Sequence, residues 1–231
     1  KDGSLYHEEQ TIAPVLGASG AVTHFVAIKA DVSARRQAEE ALVAAHQELA
    51  ARVAEIESLN EPLRERAIRD PLTGLHNRRY FEETAGRDAA RAVRTGEPLA
   101  ILVIDIDHFK TVNDQHGHAA GDLVLRAVAR LVRDNLRLAD VFARWGGEEF
   151  VILAPETSGE EAERLAEKLR LLFREHRSAG VPGFSASFGI AALAADDDLD
   201  SLFARADRAL YQAKQAGRDR VVLHQPEKST A

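Results

Sequence analysis

Two adjacent carboxylates, Glu148 and Glu149, follow a Gly146–Gly147 pair that separates two short apolar runs. A Gly-Gly pair in this setting predicts a tight hairpin, because hairpin turns need positive φ angles that glycine adopts without steric cost. A tip of this kind also lets a ligand approach the backbone closely, so carboxylates there suit a metal-bound phosphate. An ordinary solvated hairpin tip is the alternative at this point.

A second pair of carboxylates, Asp105 and Asp107, closes the apolar run of residues 99–104. Strand alternation sends these two side chains to the same side and Ile106 to the other. Hard oxygen ligands without a nearby Cys favour Mg²⁺ or Mn²⁺, which complete their coordination with water and substrate phosphates. Two such ions can activate an attacking hydroxyl and stabilise a leaving phosphate.

The residues after this acidic run suit a nucleotide. Lys110 supplies a point charge for phosphate, and Asn113 and Asp114 offer groups that can bind the amide edge of a purine. His116 and His118 have a spacing that metal ligands can show, but the glycine-rich loop around them does not favour that role.

The pattern of residues 69–225 predicts one domain with both helices and strands. We expect helices at 78–94, 122–135, 158–176 and 199–216, and strands at 99–104, 140–145, 148–154, 184–192 and 220–224. Without its outer helices, this order is the β-α-β-β-α-β unit of a ferredoxin-like, palm-type α+β fold. The first and third strands of that unit are antiparallel neighbours, so Asp105 should lie beside Glu148. This convergence favours a ligand site over a solvated tip.

Composition restricts the class of protein. The 231 residues carry a formal net charge of −7 and include no Cys. A general nucleic-acid binder is therefore not expected, because its affinity rests on Lys and Arg, and thiolate metal sites are excluded. No apolar run reaches the length of about 18 residues that a membrane helix needs. Because the chain starts at Lys1 and lacks Met, we expect a cytoplasmic fragment of a longer protein, whose remaining part is where any membrane attachment would lie.

Residues 1–69 precede this domain and have two different patterns. Residues 1–32 alternate as two strands, 4–13 and 22–30, and two strands alone are marginal in water, so they predict the end of a truncated sheet domain. Residues 33–69 predict a helix with a heptad seam, for which a single amphipathic helix packed on its own domain is the alternative. The seam residues are Leu42, Leu49, Ile56 and Leu63.

The predicted seam has two irregularities. Arg52 and Arg66 fall on its second row, where apolar side chains are expected. Pro62 should kink or restart the helix, because proline lacks the backbone donor and clashes with the preceding turn. It either acts as a hinge before Asp70 or is tolerated without a role.

Six separated motifs together resemble the catalytic domain of the GGDEF family of diguanylate cyclases, here with Glu in the variable acidic place (GGEEF). In order, they are DPLTGLHNRRYF from Asp70, DIDHFKTVND from Asp105, GHAAGD from Gly117, RWGGEEF from Arg144, SFGIA from Ser187 and ADRALYQAKQAGRDRV from Ala206. The resemblance places the cyclase domain at residues 70–231. It implies a homodimer in which each subunit brings one GTP and two GTP give cyclic di-GMP and two pyrophosphates.

The resemblance also implies the catalytic residues by motif position. Asp105 and Glu148 would hold the metal ions, two Mg²⁺ or Mn²⁺ per active site, with help from the Ile106 carbonyl. Glu149 would act either as the general base on the 3′-hydroxyl or as a further metal ligand, and the sequence does not separate these roles.

The substrate residues follow from the same motifs. Asn113 and Asp122 would recognise guanine. The triphosphate would be neutralised by three cationic side chains and cradled by backbone amides of the neighbouring turns; these positions are Lys110, Lys214 and Arg218, and Phe109, Gly146 and Gly147.

Arg137 and Asp140 form an RxxD motif that begins nine residues before Gly146. At this spacing the resemblance implies an inhibitory site for the product. Arginine can pair with phosphate or the guanine Hoogsteen edge, and Asp can accept from guanine N1–H. Arg91 would contribute from a neighbouring subunit, and Lys168 stands where many relatives carry Arg. A helix C-terminus followed by a strand is the alternative for this motif.

Residues 1–32 resemble the C-terminal end of a PAS domain, with Asp31–Val32–Ser33 as its exit motif. The heptad helix that follows resembles a signalling linker that aligns two cyclase domains. A catalytically silent regulator that binds GTP or cyclic di-GMP is the other functional interpretation. Such relatives usually lack the acidic pair or the glycines, and this chain has all of them.

Overall fold

The computed structural model describes residues 6–194 and 197–224, without the side chains of residues 57–64 and 66. The chain divides into two compact units, Lys1–Leu63 and Arg64–Ala231. No helix in the described ranges has the length and apolarity that a membrane crossing requires.

The first unit contains an antiparallel hairpin of β1 (Glu8–Leu16) and β2 (Val22–Asp31). The second strand agrees with its prediction, whereas the first begins and ends later, and residues 4 and 5 lie outside the described residues. The register pairs Ile12 with Ala27 and Thr11 with Ile28, so apolar side chains lie on both faces of the hairpin. Large exposed side chains on these strands include Ile12, Leu16, Phe25, Val26 and Ile28.

The long helix α1 (Ser33–Ile68) begins directly after β2. The Asp31 carboxylate accepts a hydrogen bond of 3.0 Å from the Ser33 backbone N–H, which satisfies one of the unpaired donors at the helix start. The seam side chains Leu42, Leu49 and Ile56 are 57%, 60% and 57% exposed. They form one apolar row along the helix surface.

Helix α1 is continuous through Pro62, so the predicted restart there is wrong. Proline has no backbone N–H to donate, but the flanking hydrogen bonds keep the helix in one piece. Arg52 pairs with Glu48 at 2.7 Å on the helix surface. The side chains of Leu63 and Arg66, two predicted seam positions, are outside the described residues.

The second unit is built on a six-stranded mixed sheet in the order β3-β5-β6-β4-β7-β8. Its four central strands are antiparallel neighbours in the order of a ferredoxin-like unit, which confirms the predicted fold class. The strands are β3 (His76–Asn77), β4 (Leu99–Ile106), β5 (Val141–Gly146), β6 (Glu149–Pro155), β7 (Ala186–Ala192) and β8 (Val221–Leu223). The helices are α2 (Arg78–Thr95), α3 (Phe109–His116), α4 (His118–Arg133), α5 (Gly159–Glu175) and α6 (Leu199–Gln215).

The main difference from the predicted elements lies between β4 and β5. Residues 109–116 form the short helix α3, and α4 begins at His118 instead of residue 122. Gly117, with φ 80°, separates the two helices. A one-residue link and a helix of only two turns leave too few apolar repeats for the sequence pattern to separate α3 from a loop.

Strand β4 alternates between two apolar cores. Leu102, Ile104 and Ile106 pack with α4 and α5 on one face of the sheet, whereas Ile101 and Val103 pack with α2 and α6 on the other. By this alternation Asp105 falls on the α6 face. Helix α6 lies close to β7 there, because a Cβ at Gly189 would stand only 2.7 Å from the Leu210 Cα.

Candidate active site

The predicted carboxylates meet where β4 ends and β6 begins. The antiparallel register places Asp105 opposite Glu149, and the Ile106 N–H donates to the Glu148 carbonyl at 3.3 Å. The convergence predicted from topology is therefore present, with Glu149 directly across from Asp105 and Glu148 one residue further along.

Asp105 is the electrostatic centre of this cluster. Its side chain is buried, with the residue 8% exposed, and burial raises its pKa above the ordinary carboxyl value. The Lys214 ammonium, 2.7 Å from Oδ2, opposes this increase, while the charges of Glu148 and Glu149 add to it. Several acidic groups thus share a partly buried volume with one cation.

The donor set fits a hard divalent cation. Carboxylate oxygens are preferred by Mg²⁺ and Mn²⁺, which need only one or two protein carboxylates when substrate phosphates complete the coordination. Across residues 6–194 and 197–224, no three His, Cys, Asp or Glu side chains are arranged to hold a metal by themselves. We infer that the protein's share of such a site is Asp105 with Glu148 or Glu149, and that substrate oxygens supply the rest.

The glycine turn differs from its prediction in one respect. Neither Gly146 nor Gly147 has a positive φ, so the expected primed turn is wrong. The strand register shifts between Arg144 and Gly146, and this bulge supplies the extra twist that closes the hairpin. A Cβ on Gly147 would meet no atom within 4 Å, so the turn presents open backbone.

An arginine clamp, which the sequence analysis did not identify, fixes this turn. Arg144 Nη2 donates to the Gly147 carbonyl at 2.7 Å, and Nη1 pairs with Asp70 at 3.1 Å. Burial alone would raise the pKa of Asp70, but hydrogen bonds from Thr73 and the Arg144 charge lower it below the ordinary value. The ionised Asp70 therefore holds Arg144, and Arg144 holds the turn.

The proposed guanine residues lie where α3 meets α4. A Cβ at Gly121 would stand 3.0 Å from Asn113 Cγ and 3.1 Å from Phe109 Cζ, so α3 rests directly on the first turns of α4. This contact brings the Asn113 side chain next to the residue that precedes Asp122. Both predicted residues are partly exposed at this junction.

The cationic residues come from the start of α3 and from the end of α6 with the loop that follows it. Lys110 is exposed on the first turn of α3, which follows His108 in a left-handed conformation with φ 55°. Lys214 lies on the last turn of α6 against Asp105. Arg218 is exposed in the loop after α6 and has φ 61°.

Asp107 has a structural role that the sequence did not reveal. Its carboxylate accepts hydrogen bonds of 2.7 Å from the hydroxyls of Ser185 and Ser187, and one of 3.0 Å from the Asp219 N–H. Because both oxygens accept hydrogen bonds in this way, Asp107 connects three segments of the chain. Asp105, which is paired with Lys214, is the carboxylate of this pair that faces the acidic cluster.

The RxxD motif forms a compact turn. The Asp140 carboxylate accepts from the Arg137 N–H at 2.8 Å, and burial raises the pKa of Asp140. Helix α4 ends at Arg133, so Arg137 lies beyond its last turn, which argues against the simple helix-end interpretation. A cavity of about 350 Å³ lies beside the turn, and Arg69, His76 and Arg133 also line it.

The two outlying residues of the predicted inhibitory site are not joined to this turn. Arg91 is exposed on α2, and Lys168 is exposed on α5. In the described part of the chain, no hydrogen bond or ion pair connects either residue to Arg137 or Asp140. A role for Arg91 would therefore need a second subunit, as the sequence analysis expected.

Comparison with known proteins decides the family. The family model described as "Diguanylate cyclase, GGDEF domain" matches residues 67–220. The chain belongs to the GGDEF family. This confirms the resemblance seen in the six motifs, and diguanylate cyclases with this domain generally use divalent metal ions.

Several characterised proteins resemble this GGDEF domain. The diguanylate cyclase DgcP of Pseudomonas aeruginosa is 46% identical over 164 residues, which are 70% of this chain and 24% of that protein. The diguanylate cyclase DgcM of Escherichia coli is 40% identical over 170 residues, or 74% and 42% of the two chains. The chain therefore spans less than half the length of these relatives.

A solved structure extends the similarity to the fold. The crystal structure of the coiled coil and GGDEF domain of DgcB from Caulobacter crescentus, in complex with c-di-GMP, has a TM-score of 0.71 and 32% identity. The match covers 79% of this chain and 98% of the DgcB chain. The mixed α+β architecture is thus shared with a GGDEF protein of known structure.

Proposed function

We propose that this chain is a diguanylate cyclase that condenses two GTP molecules into cyclic di-GMP and releases two pyrophosphates. The main observation that supports this proposal is the convergence of Asp105 and Glu149 across β4 and β6, beside Lys214 and the open glycine turn. Acidic groups that face a cation and bare backbone suit metal-dependent phosphoryl chemistry. We place this reaction in the cytoplasm, where GTP is available.

Two Mg²⁺ or Mn²⁺ ions per active site are part of this proposal. Asp105 and Glu148, with the Ile106 carbonyl, would hold them, and bound ions would supply charge stabilisation at the reacting phosphate. Because Asp105 is buried near other acidic side chains, added positive charge would stabilise the site, and Lys214 supplies part of that charge.

The chain's own residues bind and orient the substrate. Asn113 and Asp122 at the α3–α4 junction would hold the guanine edge, because amide and carboxylate groups can accept from guanine N1–H and the exocyclic amine. Lys110, Lys214 and Arg218 would neutralise the triphosphate, with the backbone at Phe109, Gly146 and Gly147 beside it. Specific placement of this kind lowers the barrier by holding the reacting atoms in line.

The bond-forming step needs a proton acceptor. The 3′-oxygen of one GTP attacks the α-phosphorus of the other, the α–β oxygen bridge breaks, and pyrophosphate leaves with the electron pair. Glu149 would take the hydroxyl proton or act as a further metal ligand; its position opposite Asp105 suits both. A second attack closes the ring: the 3′-oxygen of the other nucleotide attacks the α-phosphorus of the first, and the second pyrophosphate leaves.

Ring closure supports a homodimer. A single domain presents one set of substrate residues, so a symmetric product with two identical linkages needs two domains face to face. The exposed row of Leu42, Leu49 and Ile56 on α1 is suited to a coiled coil with a second copy. We propose that this coiled coil sets the local concentration and alignment of the two domains.

Changing both Leu49 and Ile56 to Glu is expected to give monomers whose specific activity falls by about tenfold or more, because the reaction then depends on random encounter. Ultracentrifugation and initial-rate assays on the same samples check this. The matched control carries Gln47→Glu and Ala54→Glu, two acids at the same seven-residue spacing on the other side of the helix. A fully active monomer would refute the coiled-coil role.

The hairpin and α1 together support a sensory input. Apolar side chains on both faces of β1 and β2 are typical of strands from inside a larger sheet, as expected for the end of a PAS-like domain at residues 1–32. The hydrogen bond from Ser33 to Asp31 joins this hairpin directly to the helix of residues 33–69. We propose that the input reaches the cyclase domain, residues 70–231, through the continuous helix α1.

We further propose that Arg137 and Asp140 form a site for product inhibition. The adjoining cavity has guanidinium groups from Arg69 and Arg133 on its walls, which suits an anionic ligand such as cyclic di-GMP. Arg91 of a second subunit and Lys168 would complete it. The crystal structure of the DgcB coiled coil and GGDEF domain in complex with c-di-GMP supports product binding here.

Replacing Arg137 by Ala is expected to weaken product inhibition by roughly tenfold or more, because one charged hydrogen-bonding partner of the phosphate is lost. Progress curves with added cyclic di-GMP measure this directly. Arg126→Ala, on the exposed side of α4, is the matched control and should keep the wild-type inhibition constant. Inhibition of the Arg137 variant at wild-type product concentrations would rule out this site.

A catalytically silent regulator is the alternative function. It would bind GTP or cyclic di-GMP without turnover. Incubation of the purified protein with GTP and Mg²⁺, followed by chromatography, separates the two: formation of cyclic di-GMP supports the cyclase, whereas retained GTP with measurable binding supports the regulator.

A further inference from the structure

The loop that carries Arg218 has an unusual backbone. Gly217, Arg218 and Asp219 have φ angles of 109°, 61° and 42°, three consecutive residues in the left-handed region. Residues other than glycine rarely adopt this backbone conformation, and it persists only where surrounding contacts impose it. Two such residues in succession therefore indicate that something holds the loop.

Those contacts meet at Asp219. Its N–H donates to Asp107 Oδ2 at 3.0 Å, and its Oδ1 accepts from Arg170 Nη1 at 2.8 Å. Arg174 adds a longer ion pair of 3.6 Å. The loop is thus fixed through its backbone by Asp107, the residue after β4, and through the Asp219 side chain by α5.

Arg170 is itself well positioned for this role. Its side chain is 12% exposed, and two nitrogens bind Glu167 at 2.6 and 2.9 Å, so the guanidinium bridges Glu167 and Asp219. Its pKa is raised, first by the Glu167 hydrogen bonds. Because arginine presents a rigid fork of donors, it can hold two carboxylates in fixed positions at once.

The result of this network is the placement of Arg218. On the N-terminal side of Arg218, Lys214 forms an ion pair with Asp105. On its C-terminal side, Asp219 is hydrogen-bonded to Asp107, two residues after Asp105. Arg218 lies between these contacts with an exposed side chain. Within residues 6–194 and 197–224 it has no acidic partner, so its guanidinium is left for an external anion.

We propose that Arg170 is a positioning residue for the triphosphate: through Asp219 it holds Arg218 in the left-handed conformation that aims its guanidinium at the substrate phosphates. This inference rests on the cyclase function and on the phosphate role of Arg218 given above. Arg170 itself contacts neither substrate nor metal. Its effect on the reaction is therefore expected to pass entirely through Arg218.

The Arg170→Ala change is expected to raise the KM for GTP by about tenfold with kcat changed by less than about threefold, since substrate phosphate binding is what it weakens. The inhibition constant of pyrophosphate should rise in parallel. Arg164→Ala, an exposed arginine on the same helix, is the matched control and should leave all these values unchanged. Asp219→Ala should reproduce the KM effect, and Asp219→Asn should recover most of it, because Asn keeps one acceptor oxygen and tolerates left-handed φ.

A double-mutant cycle separates positioning from general damage. If Arg170 acts through Arg218, the double Ala variant has the KM of Arg218→Ala alone, to within about twofold; additive effects would mean independent roles. Additivity, or an unchanged KM in Arg170→Ala while Arg218→Ala raises it, overturns this inference and leaves the cyclase assignment intact. If Arg218→Ala itself leaves KM unchanged, its phosphate role is wrong, and the inference falls with it.

Discussion

The Glu149→Gln variant should lose turnover by roughly 10²–10⁴-fold, the range that a positioned acid–base group contributes, while it still binds GTP. Glu149 stands opposite Asp105 in the β4–β6 register, at the point where the acidic groups converge. Gln keeps the size and the hydrogen-bonding oxygen, but it has no negative charge and cannot accept the hydroxyl proton. Binding should persist because guanine and the triphosphate are held by other residues.

Initial rates and GTP titration on the same preparation test this prediction. The control is Glu163→Gln, the same change at an exposed position of α5, which should behave as wild type. Near-native synthesis of cyclic di-GMP by the Glu149 variant would refute the assigned role. Residual activity also separates the two remaining roles: excess Mg²⁺ should partly restore a lost metal ligand, whereas loss of a general base should remove the acid limb of the pH–rate profile.

The Asp105→Asn variant should lose activity and gain stability. Burial raises the pKa of Asp105, and the charges of Glu148 and Glu149 add to this despite Lys214. The folded state therefore binds a proton more tightly at this site than the unfolded chain does. The stabilising contribution of protonation is complete below the ordinary value of 3.8, and it is lost as pH rises through the raised folded-state pKa.

At neutral pH the folded wild type therefore bears the part of the cost of a buried charge that Lys214 does not offset, and Asn removes this cost. We expect a thermal midpoint higher by about 2–4 °C at pH 7, the shift given by about 1 kcal/mol in a domain of this size. The difference should shrink as the pH is lowered toward the ordinary carboxyl range. Mg²⁺ with GTP should raise the midpoint of the wild type more than that of the variant, because ligand binding stabilises only a competent site.

Asp107→Asn is the matched comparison for this stability change. It is the same substitution two residues away, but the Asp107 carboxylate accepts three hydrogen bonds, and an amide cannot replace all of them. Its midpoint should fall while that of Asp105→Asn rises. A lower thermal midpoint in both variants would show that the Asp105 carboxylate stabilises the fold. It would contradict the view that this carboxylate is buried at a cost in stability in order to bind cations.

The features that were predicted correctly depend on patterns among neighbouring residues in the sequence, whereas the supporting contacts between residues far apart in the sequence were not predicted. Alternation along β4 and the order of the elements were enough to predict that Asp105 lies beside the start of β6, because strand period and topology follow local patterns. The exact partner was not predictable to one residue, because the β4–β6 register, which places Glu149 and not Glu148 opposite Asp105, depends on how the two strands pair in the folded sheet. The bulge between Arg144 and Gly146 removes the need for the positive φ angles that the Gly-Gly pair suggested.

The supporting contacts could not be read from the sequence. Asp107 bonds Asp219 across 112 positions, and Arg170 reaches the same residue across 49. Arg144 and Asp70 are 74 positions apart. Each pair is an ordinary charged or polar combination with no spacing that marks it, so only the folded chain shows which residues hold the glycine turn and the Arg218 loop in place.

The most direct test of the cyclase assignment is the stoichiometry of one reaction. Purified protein, GTP and Mg²⁺ are incubated over a dilution series of the protein, and cyclic di-GMP and pyrophosphate are quantified from the same samples. A dimeric diguanylate cyclase should release two pyrophosphates for each cyclic di-GMP, and its specific activity should fall as the protein is diluted below its dimerisation range. Conversion of GTP to GDP and phosphate, or no consumption of GTP at any protein concentration, would contradict the cyclase assignment.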